Sequence, residues 1–297
     1  MKPLLIETWG DLRRRDVEKP EAILDPIINR GSIGMVHGPR GLGKSLWCQS
    51  ASVCAAAGIP FLDFLVPKPV ITVYADGEML DWERQKRFKR IEGDNAIKGV
   101  RDRLYIIRPN FDAGVLPDLE TAEGQRLLEE LLPQGTAFLI IDNLSAWCRS
   151  GREDAESWRK VQEWAMRMRA KGYAILFVHH SNKRGGQRGT SMREDVLDYV
   201  IALRPATNRA ATGTSFEMHF EKLRHVPKGK IKSVLLRYRT PKDKPTRWEI
   251  SPIAPDEKMA EVRVLQERGL SNVAIAKQLG VSRATIQRYV KDLKNKG

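Results

Sequence analysis

The sequence predicts an α/β fold, a mostly parallel sheet between helices, followed by a small all-α unit. Three observations predict it. Short apolar runs rich in Ile and Val alternate with helical patterns through residue 205, as expected of strands buried on both faces of a parallel sheet. One of these runs leads into the glycine-rich turn "GPRGLGKS" (38–45), which precedes a helical pattern. Residues 258–297 carry three short amphipathic helical patterns.

In chain order the strand patterns are "SIGMVHG" (32–38), "VITVYAD" (70–76), "LYIIRP" (104–109), "AFLIIDN" (137–143), "AILFVHH" (174–180) and "YVIALRP" (199–205). Each is short, apolar and bounded by turn residues. "LWCQSASVCAAAG" reads as a helix stopped by Gly58. "DAESWRKVQEWAMRMRAKG" reads as one that brings Trp158, Val161, Ala165 and Met168 onto a single face. After residue 212 the period becomes two. "TSFEMHFEKLRH" and "IKSVLLRYR", joined by "VPKG", predict an antiparallel hairpin at the sheet's edge, with "RWEI" as a last strand. Prolines and charges then place a linker. The expected division is an arm at 1–30, the α/β domain at 31–250, a linker at 251–257 and a helical unit at 258–297.

The chain has 297 residues, 41% of them hydrophobic, enough for one large core and an appendage. Fifty-one Lys and Arg against 37 Asp and Glu leave a net charge of +14. Such a balance favours a polyanionic partner, nucleic acid before an anionic membrane surface. Cys48, Cys54 and Cys148 are odd in number and lack CxxC spacing, which excludes a disulfide framework and a zinc site and fits a reducing compartment. The start, "MKPLLIETWGDLRRRD", has charge where a signal peptide has its apolar core, and no apolar run reaches the ~18 residues of a membrane span. A cytoplasmic protein is expected.

Gly38-Pro39-Arg40-Gly41-Leu42-Gly43-Lys44-Ser45 satisfies GxxxxGK[ST], and Leu46 continues into the helical pattern. Backbone N–H groups and the positive end of the helix predict a cradle for phosphate oxygens. Lys44 is expected to reach the β- and γ-phosphates and the Ser45 hydroxyl to ligate Mg²⁺. Asp142 ends a strand at its carboxyl edge, where it can hold the same ion through water. Hydrolysis needs a group that orients or deprotonates water. "VYADGEM" supplies Glu78, with Asp76 as the alternative, on a strand expected to lie beside the phosphate-loop strand. The strand ending in His179-His180 places a polar group where it can report the γ-phosphate. The loop after it carries Lys183, Arg184 and Arg188, which can bind nucleic-acid phosphates. A phosphate-sensing group next to such a loop can couple hydrolysis to movement.

The series "GPRGLGKS", "YADGEM", "LIIDN", "FVHHSNK", "RGTS" and "EKLRHVPKG" resembles the RecA-type ATPase core of hexameric replicative helicases over roughly residues 20–250. Compact plasmid-encoded RepA-type helicases are the nearer likeness and the DnaB family the more distant one. The resemblance implies a RecA-like P-loop core that uses ATP and Mg²⁺, with Glu78 as catalytic glutamate. It makes His180 the sensor where DnaB-like proteins usually carry Gln, and puts 182–192 at a channel that threads single-stranded DNA. It maps Lys222 and Arg224 onto a basic pair acting across a subunit boundary; taken alone, both read equally well as solvated hairpin charges. The N-terminal domain of DnaB has no counterpart, and residues 1–30 are expected to form an arm that docks on a neighbouring subunit.

"EKMAEVRVLQERGLSNVAIAKQLGVSRATIQRYVKDLKNKG" divides into three helices. The first carries Met259, Val262 and Leu265 on one face and stops at Gly269. The second starts at Ser271, a good N-cap, and runs to Leu279. Gly280-Val281 make the turn and Ser282 caps the third. Ile286, Val290 and Leu293 form its buried stripe, so Arg283, Thr285, Gln287, Arg288 and Lys291 face outward. This is a helix-turn-helix, and it resembles the DNA-binding units of recombinases and bacterial regulators. From Glu257 on, nine Lys or Arg against four Asp or Glu leave +5, and outward Arg, Gln and Thr are types that read base edges in duplex DNA.

These readings predict an ATP-driven DNA motor: a ring-forming, homohexameric helicase of a plasmid, phage or mobile element, targeted to duplex DNA by its last domain. The alternative is a DNA-bound ATPase switch that regulates or loads without unwinding. A metabolic kinase with the same phosphate loop is disfavoured by the charge and the helix-turn-helix.

Overall fold

The computed structural model describes residues 6–93, 99–110, 116–148, 155–180, 195–206, 213–227, 229–239, 247–253 and 257–296, without side chains at 155–157, 257–260, 292 and 294–296. The chain opens with helix α1 (Trp9–Arg14) and the short strands β1 (Ala22–Leu24) and β2 (Ile28–Asn29). It continues as β3 (Ile33–Gly38), α2 (Lys44–Ala57), β4 (Ile71–Asp76), α3 (Asp81–Glu92), β5 (Leu104–Ile107), α4 (Ala122–Glu130), β6 (Thr136–Asp142), α5 (Leu144–Trp147), α6 (Ala155–Ala170), β7 (Ala174–His180) and β8 (Tyr199–Pro205). Strands β9 (Thr214–Leu223), β10 (Val234–Arg239) and β11 (Arg247–Pro252) follow.

Strands β3 to β11 form one sheet in the order β11-β10-β9-β8-β3-β7-β6-β4-β5. The six strands from β8 to β5 pair in parallel, and β9, β10 and β11 extend the sheet antiparallel from β8. The parallel strands are apolar on both faces because helices cover both. Val36, Ile140, Leu176 and Ile201 pack on one face with Trp47 and Ala51 of α2. Met35, Leu139, Ile175 and Phe177 pack on the other with Trp158, Val161, Ala165 and Met168 of α6, the face its spacing predicts.

One expectation about the sheet is corrected. Strand β4 does not neighbour the phosphate-loop strand β3; β7 and β6 lie between them. Successive strands of a parallel sheet are joined by crossovers, so neighbours in sequence need not be neighbours in space. The amino-terminal segment also behaves in two parts. Residues 6–20 are exposed throughout, whereas Ile23, Leu24, Ile27 and Ile28 are buried in the core under α2. The part of residues 1–30 free to act as an arm therefore stops before β1. Among the described residues, no helix is long and apolar enough to cross a membrane.

The last segment forms α7 (Glu257–Glu267), α8 (Asn272–Gln278) and α9 (Arg283–Lys296). Val262, Leu265, Ile275 and Ile286 are buried together, with Val290 and Leu293 against them; the side chain of Met259 lies outside the described residues. The Ser271 hydroxyl accepts from Ala274 N at 3.3 Å and that of Ser282 from Thr285 N at 3.1 Å, as predicted for two N-caps. Gly280 turns the chain between them at φ +61°, where a side chain would be strained. Arg283, Gln287, Arg288 and Lys291 are exposed. Thr285 departs from this set: it is half-buried and its hydroxyl is 2.9 Å from that of Ser282, so it completes the cap. The expected linker at 251–257 overlaps both neighbours: Ser251 and Pro252 end β11 and Glu257 opens α7, and 254–256 lie outside the described residues.

Candidate nucleotide site

The site lies at the carboxyl edge of the parallel strands, where β3 delivers the phosphate loop and α2 leaves it. Gly43 is required there twice over. Its φ is +113°, and a Cβ would sit 2.7 Å from Thr214 Cγ2 and 2.9 Å from the Phe216 ring. Lys44 Nζ donates to the carbonyl oxygens of Gly38 and Pro39, both at 2.8 Å. The ammonium is thus held inside the turn whose amides would face phosphate. Its burial lowers its pKa to about 8, against the opposing pull of Asp142.

Ser45 is hydrogen-bonded to Asp142, and the Tyr74 hydroxyl donates to Asp142 Oδ2. Burial pushes the Asp142 carboxyl up to about 6, although both hydrogen bonds favour its ionised form. A buried carboxylate beside a hydroxyl is a hard-oxygen pair that fits Mg²⁺, which needs one or two protein oxygens and takes the rest from phosphates and water. No group of three or more His, Cys, Asp or Glu that could hold a metal occurs among the described residues.

Although β4 is distant from β3, its far end still reaches the cradle. Gly77 N donates to Asp142 O at 2.7 Å, continuing the β4–β6 pairing past Asp76 and Asp142. There Asp76 and Glu78 part company. Asp76 Oδ1 accepts from the backbone N–H of Glu78 and Met79, both at 3.0 Å. Its Oδ2 accepts from Arg84 Nε at 2.9 Å, and both side chains are buried. The Arg84 guanidinium also donates to Asp81 and to the Met79 carbonyl. Both line the cleft with Lys44, Ser45, Asp142 and His180, but the oxygens of Asp76 are taken up in holding this turn.

Asn143 Oδ1 accepts from Ala146 N at 3.1 Å, which turns its Nδ2 toward His180 Nε2 at 3.0 Å. Burial, and then Lys44, lower the His180 pKa. The neutral ring accepts on Nε2 and carries its hydrogen on Nδ1. Lys183, Arg184 and Arg188 lie outside the described residues.

Lys222 and Arg224 are not brought to this cleft. Arg224 N donates to Asp198 O, and Asp198 N to Ile33 O, both at 2.7 Å. Arg224 is therefore level with the start of β3, five residues or ~16 Å from the cradle at ~3.3 Å per residue. Its guanidinium donates to Asp195 O at 2.9 Å and lies 3.6 Å from the buried Asp198 carboxylate. Neither residue can serve its own subunit's phosphates from that edge.

The remaining wall of the cleft, a cavity of about 530 Å³, comes from Leu46, Thr214 and three residues of α3: Glu83, Arg87 and Arg90. Sequence reasoning placed Leu46 with the phosphate loop but missed Thr214 and the three residues of α3, and also Tyr74 and Arg84. On α3 a charge every three or four residues reads as a solvated helix, so nothing in the pattern marks it as a wall.

The AAA domain family matches residues 3–186, and an HTH domain family matches residues 258–297. Two solved structures share the fold of the sheet region. A KaiC-like protein from the hyperthermophilic archaeon Pyrococcus horikoshii is 14% identical at a TM-score of 0.55, over 77% of this chain and 94% of its own. The flagellar accessory protein FlaH from Methanocaldococcus jannaschii is 14% identical at 0.52, over 75% and 92%. No curated protein matches the sequence. The core is thus RecA-like in fold, with a helix-turn-helix after it.

Proposed function

This chain belongs to the AAA domain family, and from that premise we propose that it is an ATP-driven DNA motor, a ring-forming helicase of a plasmid, phage or mobile element. The observation that carries the reading is one cleft that collects Lys44, Ser45, Asp142, Glu78 and His180 in a chain that also bears a helix-turn-helix. Lys44 and the loop amides bind the phosphates, and Glu78 takes the proton of the attacking water. His180, on the wall of the cleft, senses the γ-phosphate. Ser45 and Asp142 would hold magnesium, which would supply positive charge to neutralise the phosphates. Lys44→Ala should abolish turnover while its thermal melt stays that of a folded protein.

Arg224, or Lys222 beside it, completes the site of a neighbouring copy in a hexamer. A guanidinium supplied in this way makes hydrolysis depend on assembly. Arg224→Ala should keep ATP binding and depress hydrolysis. Mixing it with Glu78→Gln subunits, each lacking a different half of the site, should restore turnover. Normal turnover by Arg224→Ala alone would remove the role.

The helix-turn-helix also favours a second reading, a DNA-bound ATPase switch. Strand displacement with ATP decides, measured beside ATPase activity with and without single-stranded DNA; stimulation without displacement selects the switch. Deleting 257–297 should weaken duplex binding and flatten its salt dependence while sparing the ATPase.

A further inference from the structure

Resting on the role of Arg224 proposed above, we infer that Asp198 is the positioning residue of that guanidinium: one of its carboxylate oxygens docks Arg224, and His225 takes the same oxygen when Arg224 leaves for a neighbouring copy. Asp198 directly precedes β8 and is buried. Its N–H donates to Ile33 O and its carbonyl accepts from Arg224 N, both at 2.7 Å, so it ties the start of β8 to β3 and to the end of β9. Its Oδ2 accepts from Ile33 N at 2.9 Å and from the Arg169 guanidinium. Arg169 is itself anchored on Gly31 O at 2.6 Å. The buried charge thus has its counter-ion within the fold, as a buried carboxylate requires, before Arg224 is considered.

The other oxygen is different. Oδ1 is buried and accepts no hydrogen bond among the described residues. Arg224 Nη1 and His225 Nε2 both face it, each at 3.6 Å. Neither has closed on it, and a shift of ~0.7 Å would bring either into hydrogen-bonding distance. Consecutive side chains on a strand point to opposite faces. These two converge because β9 ends at Leu223 and the chain bends after it. Both are exposed, and Val226, which follows them, is buried and anchors the bend. Arg224 is steadied by its bond to Asp195 O at 2.9 Å. A buried acceptor is costly to leave unpaired, so an arginine alone at Oδ1 would be held there. His225 Nε2 donates as the imidazolium or as the Nε2–H tautomer. With that second donor in place, Arg224 can depart while the oxygen stays paired.

The test measures single-turnover hydrolysis and equilibrium binding of magnesium-ATP for wild type, His225→Ala, His225→Gln, Arg224→Ala and the His225→Ala/Arg224→Ala double variant. His225 is exposed, so its variants should fold, and their melting curves check this. His225→Ala should slow hydrolysis about fivefold and leave binding within about twofold. His225→Gln should turn over at nearly the wild-type rate, because its amide N–H can reach the same oxygen. In the Arg224→Ala background the loss of His225 should change nothing further, since no guanidinium is left to release. A fold effect alone would not produce that dependence. Wild-type turnover by His225→Ala, an equal loss with and without Arg224, or no rescue by glutamine would overturn the dock while leaving the role of Arg224 standing. Full turnover by Arg224→Ala would remove that role and the dock with it.

Discussion

Glu78→Gln should slow ATP hydrolysis at least about a hundredfold and leave the affinity for magnesium-ATP within a small factor of wild type. The amide keeps the shape of the side chain and the turn that carries it, but cannot accept the proton of the attacking water. The turn does not depend on the Glu78 carboxylate. It is held by Asp76, whose two oxygens serve the Glu78 and Met79 amides and Arg84. Single-turnover hydrolysis beside equilibrium binding separates the two effects. The paired control is Asp76→Asn. Removing the buried charge beside Arg84 should lower the melting temperature, since breaking a buried ion pair is destabilising even with Asp81 still bonded to the guanidinium, and should lower turnover less than Glu78→Gln does. Turnover by Glu78→Gln at the wild-type rate would return the role of base to another group.

Asp142→Asn should make the protein more stable and less able to use magnesium, and the balance should shift with pH. Burial raises the Asp142 carboxyl from 3.8 to about 6 in the folded chain. A group whose folded pKa is raised is favoured in its protonated form. Its stabilising effect is complete below about pH 4 and is lost as pH rises through 6. Above that, the ionised carboxylate is held at a cost that the neutral amide avoids. The variant should gain up to about 3 kcal/mol at pH 7.5, several degrees in melting temperature, and the gain should vanish toward pH 4. Adding magnesium-ATP should reverse the order, because the ligand stabilises only the form that holds the ion. Melting curves at two pH values, with and without magnesium-ATP, measure both effects. A variant no more stable than wild type at pH 7.5 would mean that Tyr74 and Ser45 already compensate the buried charge.

The sequence by itself determined the parts of this protein whose physics is local. The phosphate loop is one continuous turn whose glycines, lysine and serine each have a reason within a few residues. The six parallel strands follow from short apolar runs, and the helix-turn-helix from two serine caps and an apolar stripe. The tertiary structure decided what depends on residues far apart in the chain. It separated β4 from β3, because no periodicity encodes which crossover lands where. It tied the oxygens of Asp76 to Arg84 and the turn amides, leaving Glu78 as the carboxylate of the pair not committed to the turn; two residues apart in sequence, the two carboxylates are equivalent until a buried guanidinium chooses between them. It moved Thr285 from the outward face into a cap. It also laid one face of a polar helix, with Arg90 on Tyr238, along the cleft, a contact across about 150 residues that only the completed sheet brings within reach.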